Sequence, residues 1–319
     1  MKNHLIRLLF LLLFVTQGLV AEEKTEANQE ETVAAEEEKE TYIKDLVEDY
    51  EESLGFFVTY RDPESNQIFL KVSKDQLKKE FIYFAHVING VASTGKVKGS
   101  YTDEGIFKIE KDFNKLRFSR VLTNYYFDDD NPLSKSKGAN ISDSTFQVID
   151  ILAENEEENE YLIEITGLLL SETLTPILPI YSPEGPPPGF MWGQLSPIKS
   201  RVTGIFNYEE NTDFEVEYVI ESAPSYEYES EDVADPRNVN INLRYSFIEM
   251  PKNDFEPRLA NQSIGYFSER VTDLTSKDVT PYKDLIGKWN LRKKNPDEEL
   301  SEPVKPITFW IENTTPYEL

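Results

Sequence analysis

Apolar and polar positions alternate along most of this chain. The clearest run sets Val239, Ile241, Leu243, Tyr245 and Phe247 against Asn240, Asn242, Arg244 and Ser246. A period of two predicts a strand with one face on a core and the other in water. The same alternation in Phe214, Val216, Tyr218 and Ile220 predicts a second strand, paired with 202–208 across the polar turn from Glu209 to Asp213. Phe56–Tyr60 and Ile68–Val72 flank Asp62-Pro63-Glu64-Ser65-Asn66 and read as a further hairpin. Additional strands are predicted over Phe81–Ile88, Gly105–Lys111, Leu116–Thr123 and Phe146–Ile151, with a Gly-, Ser- and Thr-rich loop over 89–104. Tyr161–Leu170 is the most hydrophobic run beyond residue 40 and predicts a central strand. Ser263–Ser268 predicts a short aromatic strand whose Gly265 suggests close backbone approach. Together with the 239–247 run it predicts an edge hairpin over 237–269. Ile307–Glu312 reads as a last strand, with Ile307, Phe309 and Ile311 on one face.

Helical patterns are few and short. Tyr42, Leu46 and Tyr50 recur every four residues, Ser73 with Gln76 forms a capping box, and Tyr282–Ile286 before Gly287 reads as a short helical stretch. Hairpin connections outnumber strand–helix–strand units. The predicted class is therefore mainly β: an antiparallel β-sandwich or strongly curved sheet with a few short helices, over about residues 41–300.

Charge and composition narrow the function. A net charge of −26 repels phosphate backbones, so nucleic acid is not an expected partner. Residues 1–21 read as a secretory signal, with Lys2 and Arg7 before the apolar run Leu8–Val15 and Ala21 before Glu22-Glu23. The Glu-rich stretch 22–40 reads as a disordered acidic leader. The chain has no Cys, which leaves no lipid-anchor site and no disulfides. The expectation is a bacterial periplasmic or secreted protein, with no membrane association once the signal is cut.

Candidate chemistry is sparse. His86 is the only histidine beyond the signal, and zinc would require further ligands. Asp128-Asp129-Asp130-Asn131-Pro132 invites calcium but lacks the spacing and terminal Glu of a calcium loop, and reads as an acidic turn. The Pro-rich stretch 176–197 carries Phe190, Met191 and Trp192. It reads first as a loop laying its aromatics over the sheet edge, with a ligand-binding lip for peptide or glycan as the alternative.

From 237 to 316 one string of residues carries a resemblance. It comprises Asn238-Val239 through Arg244-Tyr245-Ser246, then Pro251, Pro257-Arg258 and Gly265-Tyr266-Phe267. Trp289, Lys293-Lys294-Asn295-Pro296, Leu300-Ser301-Glu302-Pro303 and Lys305-Pro306-Ile307 complete it. Gly55-Phe56-Phe57, Phe81-Ile82-Tyr83 and Thr166-Gly167-Leu168 extend it more loosely. The string resembles the amino-terminal, non-catalytic region of large bacterial secreted zinc metalloproteases of the zincin, metzincin-like type. The resemblance implies that 301–319 is a connector and the first strand of a catalytic domain whose H-E-x-x-H helix lies beyond Leu319. No residue here matches that family's zinc ligands or general base, so no catalytic or metal residue is carried over. The implied role is a scaffold or regulator. Its implied partner is the catalytic domain, or another chain engaged through Ile307–Glu312, with peptide as substrate and zinc confined to that domain. The alternative readings are a stand-alone peptide- or glycan-binding module and a structural exported protein.

Overall fold

The structure is a computed structural model of the 319-residue chain. It describes residues 42–139, 141–155, 157–178, 192–222, 231–252, 254–261, 263–311, 313 and 315–317. The predicted signal and acidic leader, Phe190, Met191 and Glu312 lie outside the described residues.

Helix α1 (Ile43–Leu46) is followed by strands β1 (Glu51–Ser53), β2 (Val58–Arg61), β3 (Ile68–Ser73) and β4 (Glu80–Asn89). Next come β5 (Tyr101–Asp112), β6 (Lys115–Arg120), β7 (Tyr125–Tyr126), β8 (Ser144–Asn155) and β9 (Glu160–Glu164), then helix α2 (Thr166–Leu169). The remaining strands are β10 (Gln194–Leu195), β11 (Arg201–Asn207), β12 (Asn211–Glu221), β13 (Asn238–Glu249), β14 (Ser268–Asp273) and β15 (Tyr282–Ile286). Twelve of them form one sheet in the order β1-β2-β3-β9-β8-β6-β5-β4-β13-β12-β10, with β11 also paired to β12. All of these pairings are antiparallel. The sheet curls into a half-barrel, and β7, β14 and β15 make a small second sheet. The strongly curved antiparallel sheet expected from the alternation is the architecture observed.

Curling has local causes. Bulges break the register at Ala85/His86, Phe118/Ser119, Ile151/Ala153 and Val202/Gly204, and each adds twist to its strand. The curl brings the first strands back to β11 and β12. The Asn207 amide donates to the Ser53 carbonyl at 2.9 Å, the Ser53 hydroxyl at 3.1 Å and the Thr59 hydroxyl at 3.2 Å. The Phe57 N–H donates to the Thr212 hydroxyl at 3.0 Å, and that hydroxyl donates in turn to the Asn207 side-chain oxygen. At this seam a Cβ on Gly55 would sit 2.6 Å from that of Asn207, so only glycine allows the approach.

The inner face holds one continuous core. Val239, Ile241, Leu243, Tyr245 and Phe247 of β13 are buried, as are Phe214, Val216, Tyr218 and Ile220 of β12. Phe57 reaches across the curl to Phe247, with ring centroids 6.3 Å apart. Three buried phenols find partners, as buried hydroxyls must. The Tyr245 and Tyr218 hydroxyls lie 2.7 Å apart, Tyr218 donates to the Leu169 carbonyl, and Tyr83 donates to the Leu174 carbonyl at 2.9 Å. These bonds tie the segment after β9 to the sheet. A smaller cluster on the other face places Ile43 and Val47 against Tyr60, Phe69 and Leu162, so α1 covers β2, β3 and β9 from outside.

Several expectations require correction. β13 is not the edge of a hairpin: β12 bonds one side of it and β4 the other. Residues 263–267 form no strand, and β14 pairs with β15 and β7 instead. A Cβ at Gly265 would meet nothing within 4 Å, so the predicted close approach is absent. The run Tyr161–Leu170 splits into β9 and α2. The Ile68 N–H donates to the Thr166 hydroxyl at 2.8 Å and the Thr166 N–H to the Glu164 carboxylate at 2.7 Å, and the chain turns there so that Leu168 and Leu169 enter the core. A short apolar run carries no periodicity that separates strand from buried helix. Tyr282–Ile286 is strand β15, because pairing with β14 overrides its local spacing. Residues 307–311 form no strand and pair with none. The capping turn at Ser73 does form, with the Gln76 side chain accepting from the Ser73 N–H at 2.9 Å.

Candidate functional site

Beyond β13 the chain leaves the main sheet and builds a platform and an arm. The platform is the small sheet. Arg270 forms a two-pronged pair with Asp284 at 2.7 and 3.0 Å and covers the Tyr282 ring, its guanidinium carbon 4.9 Å from the centroid. The Lys283 ammonium lies 2.8 Å from Asp273. That contact, with the Thr275 hydroxyl bond at 2.6 Å, holds the Asp273 carboxyl down at about 2. The Asp128 N–H donates to the Thr275 hydroxyl at 3.1 Å and the Asn131 amide donates to the Thr275 carbonyl at 3.2 Å, which seats the acidic turn on the platform. The Asp128 carboxylate accepts from the Asp130 N–H, and the Asn131 side chain caps the turn Pro132–Ser136. These bonds make it a capped acidic turn. Among the described residues no group of three His, Cys, Asp or Glu is arranged to hold a metal.

The arm runs from Trp289 to Ile311. The Lys294 N–H donates to the Glu302 carbonyl and the Val304 N–H to the Arg292 carbonyl, both at 2.8 Å, so 292–304 folds back on itself. Arg292 ties it to Asp254 at 3.0 Å. Its large apolar side chains are left in solvent: Phe309 is 77% exposed, Trp310 95% and Ile311 77%, and Phe267 on the neighbouring platform is 96% exposed. Trp289 meets Phe309 edge-on with centroids 6.4 Å apart. Exposed aromatics gathered on a segment without strand pairing make this the largest apolar feature of the arm. The exposed Leu291, Leu300 and Val304 extend it. Each stands as a single apolar residue in a polar stretch, so no periodicity marks it as part of a surface.

The residues of the resemblance divide between core and surface. Asn238 opens β13 and accepts from the Lys199 ammonium at 3.0 Å. Tyr245 lies in the core. Arg244 faces outward, donates from Nε to Glu215 at 3.0 Å and covers the Phe206 ring at 5.1 Å. The Arg258 carbonyl accepts from the Ile286 N–H at 2.9 Å while its side chain is exposed. Gly265, Tyr266, Phe267 and Trp289 are exposed, Pro303 forms an isolated bridge with Lys293, and Pro306 is solvent-facing. Thus β13 supplies scaffold, whereas the residues from 258 onward belong to platform and arm.

Two other candidates separate from this surface. Of the lip, Phe190 and Met191 lie outside the described residues, and Trp192 is half-buried against the main core. His86 sits half-buried on the outer face of β4, directly opposite Arg244 in register and 5.8 Å from the Phe84 ring. Burial, and then the Arg244 charge, push its pKa down. The neighbouring Asp213 and Glu215 pair with Arg244, so the residues around His86 form no metal or nucleophile arrangement among those described.

No curated protein and no solved structure matches the chain. A family profile described as a domain of unknown function, DUF5117, matches residues 99–294. The matched span begins just before β5, takes in β13 and the platform, and ends inside the arm. It covers well over half of the sequence, and the chain belongs to the DUF5117 family.

Proposed function

We propose that this chain is a non-catalytic scaffold of an exported zinc metalloprotease, and that it holds the catalytic domain through the arm 289–311. The observation that carries the reading is the exposure of Phe309, Trp310 and Ile311 beside Trp289. Each such side chain gains about 1.5–3 kcal/mol when removed from water, so a partner that covers the row is held by it. The resemblance over 237–316 supports the identity of that partner. Zinc proteolysis needs two histidines one helical turn apart, a third ligand and a carboxylate base. A chain with His86 alone beyond its leader leaves that chemistry to the partner. The scaffold reading places the protein in the periplasm or outside the cell, after loss of residues 1–21.

The test is purification of the native protein from the cell envelope and medium of its source with an antibody to the half-barrel. The expected result is recovery, in the same polypeptide or complex, of peptides spanning an H-E-x-x-H motif, together with one zinc. Where the domain is a separate chain, Phe309→Ser with Trp310→Ser releases it; where it is fused, the same pair of changes makes the junction sensitive to protease. Native material free of both the motif and zinc overturns the proposal.

A further inference from the structure

The inner face of the half-barrel contains a cavity of about 280 Å³ with no lining residue from the arm. Its floor is aromatic: Phe107, Phe247 and Tyr83 are almost wholly buried, and Phe146 is half-buried beside them. Leu174 closes one side and is held in place by the bond from the Tyr83 hydroxyl to its carbonyl. A cavity of about 150 Å³ takes a benzene ring, so this one has room for a phenyl group and a short tail.

One cation stands on the rim, and the fold is built to hold it there. Arg120 ends β6 with its guanidinium flat over Gly105: a Cβ at that position would lie 3.0 Å from Nε. Nη2 pairs with Asp103 at 2.8 Å and donates to the Glu104 carbonyl at 3.1 Å. The guanidinium carbon is 5.8 Å from the centroid of the Tyr83 ring. Asp103, Glu104 and Gly105 are consecutive on β5, so a single strand positions the whole group. The Asp103 and Glu104 contacts are both made by Nη2, which leaves Nε and Nη1 to a ligand. An apolar cavity beside a fixed guanidinium with spare donors matches a ligand with an apolar body and one carboxylate.

We propose that this cavity binds a small apolar carboxylate, with the hydrocarbon part on Phe107, Phe146 and Phe247 and the carboxylate on Arg120. A free arylalkanoic acid and the carboxy-terminal aromatic residue of a peptide present the same chemistry. Calorimetric titration of the full chain with hydrocinnamate and with its uncharged amide tests the idea. The acid is expected to bind about tenfold tighter than the amide, the step that a charge-assisted pair supplies. Arg120→Met brings the acid down to the amide's affinity and leaves amide binding unchanged. Gly105→Ala, whose Cβ shifts the guanidinium by a few tenths of an ångström, weakens the acid in the same direction. Ala-Ala-Phe with a free carboxylate, compared with its amidated form, separates the sources: acid-dependent peptide binding points to a peptide terminus, and binding of hydrocinnamate alone to a free acid. Absence of acid binding up to about 5 mM, equal affinity for acid and amide, or acid binding that survives Arg120→Met overturns the proposal. The acid–amide comparison needs no substitution, so a variant that fails to fold does not shield it.

Discussion

At the scale of the residue, Asp273 shows how the fold uses charge. It is buried at the end of β14 and held by Lys283 and Thr275, and its carboxyl is lowered to about 2 against an ordinary aspartate value of about 3.9. A carboxylate lowered by folding contributes stability that is complete above the unfolded value and is lost as pH falls through the folded one. The small sheet should therefore lose stability progressively from about pH 4 to about pH 2. Asp273→Asn should flatten that limb, and fluorescence-monitored denaturant melts at stepped pH should read it. An acid limb of unchanged slope in the variant would show that Asp273 does not govern it. His86 offers the contrast. Its depressed pKa comes from burial and Arg244, with no partner gained, which fits a residue tolerated on a packed outer face.

At the scale of the element, the arm and β13 sit at opposite extremes. β13 is hydrogen-bonded along both sides and is buried on its inner face. Residues 307–311 have no strand partner and expose their aromatics. Amide protection follows the free energy of local opening. Hydrogen exchange should find 307–311 exchanging near the rate of an unstructured peptide, while 239–247 exchange only on global unfolding. Protection of 307–311 equal to that of 239–247 in a monomer would mean that the arm docks back on its own domain. That result would remove the free surface on which the scaffold proposal rests. The two prolines Pro303 and Pro306 stiffen the approach to this segment and limit such a return.

At the scale of the whole molecule, the half-barrel is held in its curl at the Asn207 seam. That side chain joins Ser53 and Thr59 on one margin of the sheet to Thr212 on the other. Asn207→Ala leaves the Ser53 carbonyl and the Thr212 hydroxyl short of partners, and a buried polar group left unpaired costs about 1–3 kcal/mol. Chemical denaturation should show a loss of that size. Greater protease sensitivity should be confined to β1 and β2, while β4, β12 and β13 stay protected. A loss below about 0.5 kcal/mol would place the seam among ordinary surface contacts. The cavity that we assign to an apolar carboxylate depends on the same curl, because its lining comes from β4, β5, β6, β8, β13 and the segment after α2.

The sequence by itself determined the class of this fold. A period of two is a local property of the chain, and it marked β12 and β13 with their buried faces and the β2–β3 and β11–β12 hairpins, while the Ser73–Gln76 spacing marked the capped turn. It also marked the aromatic character of the arm, since Phe309, Trp310 and Ile311 stand together in the chain. Tertiary structure alone decided the rest. Whether β13 is an edge or a centre depends on partners far away in sequence, β4 among them, and no alternation within the strand reports that. Tyr282–Ile286 became a strand because β14 was available to pair with it. Tyr161–Leu170 broke in two because the Thr166 and Glu164 side chains capture backbone groups at the turn. Arg120 reads in the sequence as a basic residue inside the predicted strand Leu116–Thr123, and the structure ends β6 on it. Its meaning comes from Gly105, Asp103 and Tyr83, which the register of β5 against β4 and β6 brings beneath it, and that register is set by pairing across the sheet.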